Sequence, residues 1–106
     1  MIISNAGHLA PYVDGVEMDL ANGLPLGITD TADYTEQTLN LPPSARLTFI
    51  SDGVVEATNA RHELLGFART QQLSVLPAAA IAQAAQAHGQ ADDITVVTIQ
   101  CTPAVR

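Results

Sequence analysis

The chain has 106 residues, 47% hydrophobic and 14% charged. That is one ordinary domain with enough apolar side chains for a packed core, and it excludes intrinsic disorder. Four basic residues against eleven acidic ones leave a net charge of −7, without the clustered cations that nucleic acid or an anionic membrane would need. One cysteine, Cys101, excludes an internal disulfide and a Cys-rich zinc site. No secretory leader and no apolar run of about 20 residues is visible, so the expectation is a soluble, cytoplasmic domain.

The first two-thirds reads as β structure broken by turns. Ile2 to Asn5 is a short apolar start, and Asn5-Ala6-Gly7 signals a turn. His8 to Val13 is expected as a strand closed by the hairpin dipeptide Asp14-Gly15. Val16 to Leu20 alternates apolar and acidic residues, as a half-buried strand does. Asn22 to Gly27, with two glycines and a proline, is expected as a loop, and Tyr34 to Leu41 alternates again before Pro42-Pro43. Leu47 to Ile50 is a compact β-prone run that stops at Ser51-Asp52-Gly53. A helix is expected from about Gly66. A clearer one runs from Pro77 to His88, with proline in its first turn, Ile81, Ala84, Ala85 and His88 on one face, and Gly89 to stop it. Ile94 to Ile99 is β-branched and reads as a mostly buried strand. Strands, then two helices, then a last strand imply an α+β fold and not a βαβ repeat.

Two acidic turns carry the chemistry. Asp52 follows the strand Leu47–Ile50, and Asp92-Asp93 precedes the strand Ile94–Ile99. If those strands are antiparallel neighbours, both corners lie on one sheet edge. Carboxylates brought together repel unless a proton or cation sits between them, and oxygen donors suit Mg²⁺ or Mn²⁺. Asp-Gly and Asp-Asp are equally ordinary turn chemistry when taken alone.

Motif order adds a second line. Asn5-Ala6-Gly7-His8, Gly23-Leu24-Pro25-Leu26-Gly27, Ser51-Asp52-Gly53-Val54 through Glu56 to Asn59, Glu63 with Gly66 and Arg69, and Asp92-Asp93-Ile94-Thr95 fall in one order along almost the whole chain. Together they resemble the metal-dependent protein phosphatases (the PPM family), specifically the SpoIIE-type branch. There the matching segments read Asn-Ala-Gly-His, Gly-x-Pro-Leu-Gly, Thr-Asp-Gly-Val-x-Glu-Ala-x-Asn, Gly-Glu-x-Phe-Gly-x-x-Arg-Leu and Asp-Asp-Ile-Thr. This chain departs at Ser51 for threonine, Pro43-Ser44-Ala45 for Pro-Gly-Asp, His62 for glycine, Leu65 for an aromatic residue and Thr70 for leucine.

The resemblance implies an α-β-β-α sandwich of antiparallel sheets. It also implies a protein serine/threonine phosphatase in which two Mn²⁺ or Mg²⁺ ions activate water toward phosphoserine or phosphothreonine. Asp52 and Asp92 would be carboxylate ligands of one metal, with Gly53 admitting the coordination shell and Asp93 orienting the turn. His8 would donate to phosphate or a metal-bound water, or else bond within its own turn. Glu56 would be an outer-shell acceptor or a solvent-facing residue. The family's domain is about twice this length, with a bridging aspartate in its amino-terminal half. Residues 1–106 are therefore expected to be the carboxy-terminal half of the domain, incomplete for catalysis alone. The expected partners are a phosphoprotein, such as an anti-sigma-factor antagonist in sigma-factor regulation, and a second copy or the other half of the domain. The alternative is a non-catalytic remnant that acts as a protein-interaction module.

Overall fold

The structure, a computed structural model, describes residues 1–19 and 34–102; the loop expected over Asn22 to Gly27 lies outside them. In chain order the elements are β1 (Ile2–Ser4), β2 (Tyr12–Val13), β3 (Val16–Glu17), β4 (Glu36–Thr38), β5 (Arg46–Ile50), α1 (Asp52–Val55), α2 (Gly66–Leu73), α3 (Ala78–Gly89) and β6 (Val96–Gln100). The fold is α+β with antiparallel sheets. One sheet has the order β3-β2-β5-β6, and β1 pairs with β4 in a second.

Turn chemistry sets the hairpin. Asp14 (φ 48°) and Gly15 (φ 85°) both take left-handed backbone, which the two-residue connection between Val13 and Val16 requires. The strands beside it are shorter than expected. Pro11 has no N–H to offer a ladder, so β2 keeps only Tyr12–Val13 of the run from His8. β3 keeps Val16–Glu17, and β4 keeps Glu36–Thr38 of the stretch from Tyr34 to Leu41.

β5 is the spine, pairing with β2 on one side and β6 on the other. Its period-two alternation sends Thr48 and Ile50 to one face and Leu47 and Phe49 to the other. The first face meets the helices. Tyr12, Ile50, Val54, Ala57, Leu73, Ile81 and Ala85 form the core cluster, with Leu65, Ala84, Ile94 and Val96 packed against it. Buried Thr48 donates its hydroxyl to the Ser74 carbonyl at 3.1 Å and so satisfies its polar group. In α2, buried Thr70 stands where the resemblance has leucine, and its hydroxyl donates to the Gly66 carbonyl at 2.7 Å.

α3 begins after Pro77 and turns Ile81 and Ala85 fully inward. Gly89 ends it at φ 145°, where a Cβ would fall on the Thr58 carbonyl, so glycine also permits close approach here. Ser44 (φ 64°) and His62 (φ 62°) are left-handed without being glycine, at the two turn positions where the resemblance has glycine.

Two expectations need correction. β6 is not mostly buried: Val97 is 48% and Ile99 41% exposed, because nothing among the described residues covers that side fully. Asp52 does not sit in a simple turn but opens the four-residue helix α1, too short to leave a periodic signal. Among the described residues no helix is long and apolar enough to cross a membrane.

Candidate functional site

The site grows from the register of β5 and β6. Ile50 is opposite Val96, so the chain leaves β5 where it enters β6. One residue further, the Ser51 N–H donates to the Thr95 carbonyl (3.0 Å), and the Ser51 hydroxyl oxygen accepts the Thr95 N–H (2.9 Å). Beyond this double contact stand Asp52 on one side and Asp92-Asp93 on the other. Gly53 is buried, and a Cβ there would fall on the Asp93 carbonyl. The neighbour that glycine admits is therefore the backbone of the opposite acidic corner.

A third segment closes the site. The Asn5 side chain, only 9% exposed, clamps its turn from both ends. Its Oδ1 accepts the His8 N–H (2.8 Å), and its Nδ2 donates to the His8 carbonyl (2.9 Å). The His8 ring lies with Nδ1 2.8 Å from the Leu9 carbonyl. A carbonyl only accepts, so Nδ1 carries the proton, and in the neutral ring Nε2 has a lone pair.

These three segments line one cleft of about 360 Å³. Gly7 and His8 come from the first, Ser51, Asp52 and Gly53 from the second, and Asp92 and Asp93 from the third. Asp52, Asp92 and Asp93 are exposed, and no arginine lies in the lining. The Asp92 carboxylate accepts the Asp93 N–H at 2.7 Å, which holds it in one orientation. Glu56 lies elsewhere. It is exposed at the C-terminal end of α1, with its N–H on the Asp52 carbonyl and its own carbonyl accepting the Thr58 hydroxyl.

An anionic, oxygen-rich cleft fits a hard divalent cation. Among the described residues no group of three or more His, Cys, Asp or Glu side chains is assembled for a metal. Sequence reasoning gave Ser51 no role. The signal was a hydroxyl residue directly before Asp52 at the end of a strand, but its partner emerges only from the register.

The family model described as Stage II sporulation protein E (SpoIIE) matches residues 1–102. No curated protein and no solved structure matches the chain.

Proposed function

Because the chain belongs to the SpoIIE family, whose domain suggests a phosphatase-type function, we propose that it contributes one half of a Mn²⁺- or Mg²⁺-dependent protein serine/threonine phosphatase site. The observation that carries this reading is the convergence of Asp52, Asp92 and His8 on one cleft with no arginine in its lining. Asp52 and Asp92 would hold the cation. A bound divalent ion supplies Lewis acidity and lowers the pKa of its water, which suits hydrolysis of a phosphoester. The close approach of the Gly53 and Asp93 backbones brings the two acidic corners together, and the bond from the Asp93 N–H orients the Asp92 carboxylate. His8, held by Nδ1, would offer Nε2 as a proton acceptor and, once protonated, as a donor to a phosphate oxygen. Two carboxylates make a partial site, so full activity belongs to the longer family domain. Its substrate would be a phosphoprotein, with an anti-sigma-factor antagonist as the first to test.

Titration calorimetry with Mn²⁺ tests the cation site. Wild type should bind, and Asp52→Asn and Asp92→Asn should each weaken binding at least about tenfold, or about 1.4 kcal/mol. Hydrolysis of p-nitrophenyl phosphate and of a phosphoserine protein should require the metal and fall in both variants. Equal Mn²⁺ binding by all three proteins would end the assignment.

A second reading, an interaction module without catalysis, is favoured by the apolar sheet side carrying Phe49, Val97 and Ile99. It borders a groove of about 420 Å³ that also takes in Ile2, Ile3 and Leu9. Such a side is normally covered by protein. Light scattering at micromolar concentration should then show a dimer or larger, and a stable monomer without Mn²⁺ binding would remove both readings.

A further inference from the structure

We propose that Ser51 is a positioning residue of the cleft, whose side-chain oxygen holds the Asp92-Asp93 corner at its working distance from Asp52. The inference rests on reading the cleft as a cation site and adds a residue to it.

The argument starts from a conflict at the end of β5. In an antiparallel ladder every second opposed pair exchanges both N–H to carbonyl bonds, and Ser51 faces Thr95 at such a position, one step beyond the Ile50–Val96 pair. One of the two bonds is normal: the Ser51 N–H reaches the Thr95 carbonyl at 3.0 Å. The reciprocal bond has lost its acceptor, because the Ser51 carbonyl has turned to take the Val54 N–H at 3.1 Å and start α1. The hydroxyl oxygen replaces it and receives the Thr95 N–H at 2.9 Å.

Serine at a helix N-cap ordinarily spends its oxygen on an N–H of its own first turn. Ser51 makes no such cap bond; its oxygen goes to the neighbouring strand. One residue thus ends a strand, begins a helix and keeps the two strands zipped for one more step. That step separates the ladder from the carboxylates, since Asp52 is the next residue on one side and Asp93 lies two before Thr95 on the other. Gly53 permits the approach of the two corners, and Ser51 fixes it. Threonine keeps the same oxygen, whereas alanine and valine lack it.

The test compares Ser51→Ala, Ser51→Val and Ser51→Thr in the full chain by amide hydrogen exchange, Mn²⁺ titration and thermal unfolding. Ala and Val should speed exchange of the Thr95 amide about tenfold and weaken Mn²⁺ binding about tenfold, about 1.4 kcal/mol at the site. Thr should restore both. Unfolding temperature should not track these effects across the three variants, which a merely structural role would require. Unchanged Thr95 exchange in Ser51→Val overturns the proposal, as does lost protection with unaltered Mn²⁺ affinity. If wild type takes up no Mn²⁺, the cation reading fails and this positioning role falls with it, whereas the Thr95 exchange still reports separately whether the hydroxyl holds the strands together.

Discussion

The two faces of the four-stranded sheet are dressed differently. On one, Tyr12, Ile50 and Val96 lie under α1, α2 and α3, and Ile81 and Ala85 close over them with no exposure. On the other, Leu47 is fully buried and Phe49 half-buried, but Val97 stands open beside a groove and Ile99 is exposed as well. Both faces are apolar, so hydropathy alone does not separate them; coverage does. The helical face is complete within the chain, and the open one is a surface whose burial the described residues leave unfinished.

Mutation sharpens or breaks that contrast. The largest effect is expected at the closed face. Ile81→Ala should cost about 2–5 kcal/mol in urea unfolding, because it leaves a cavity where nothing can collapse. Val97→Ser should cost under about 1 kcal/mol and reduce self-association or dye binding. Equal losses at the two positions would break the distinction. Next comes the seam between the faces. Gly53→Ala puts a methyl on the Asp93 carbonyl, backbone against backbone, and should cost about 1–3 kcal/mol while weakening cation binding. Smaller and opposite in sign, His62→Gly and Ser44→Gly should each raise stability by up to about 1 kcal/mol, since both positions hold left-handed backbone with a Cβ.

The mildest probe is Tyr12, on the closed face. Burial first, and then the carboxylate of Glu17 across the hairpin, push its phenol above the ordinary value. The protonated phenol is thus favoured in the folded state. Its contribution is fully present below about pH 10, where the unfolded phenol begins to ionise, and is lost as pH rises toward the folded value. Absorbance titration of wild type against Tyr12→Phe should show the late-ionising tyrosine, and Tyr12→Phe should flatten the alkaline fall in stability.

How much of this was legible in the sequence depended on the range of each signal. Asp14-Gly15 specifies its hairpin within two residues, and the alanine-rich stretch after Pro77 specifies α3, because both rest on local backbone preference. The meeting of the corners at Asp52 and Asp92 followed from one assumption, antiparallel neighbours, and the register of β5 with β6 has that form. Pro11 cut short the strand expected from His8 to the hairpin at Asp14-Gly15. β-branching in Ile94 to Ile99 marked a strand correctly but not whether both its sides are covered, which is a property of the surroundings. His8 was marked only through the resemblance of Asn5-Ala6-Gly7-His8, and the exchange of carbonyl for hydroxyl at Ser51 had no local signature. The Ser51 exchange needs two segments in place, and the cleft with His8 needs three at once.

That last requirement has a consequence for how the protein matures. The cleft draws on residues 7–8, 51–53 and 92–93, contacts of long sequence separation that form slowly and late. A chain emerging from the ribosome contains the first two stretches well before the third, so the cleft itself does not exist until residues 92–93 and β6 have docked. Any ion captured there binds the finished fold and not its precursors, and it draws the whole architecture toward completion by mass action.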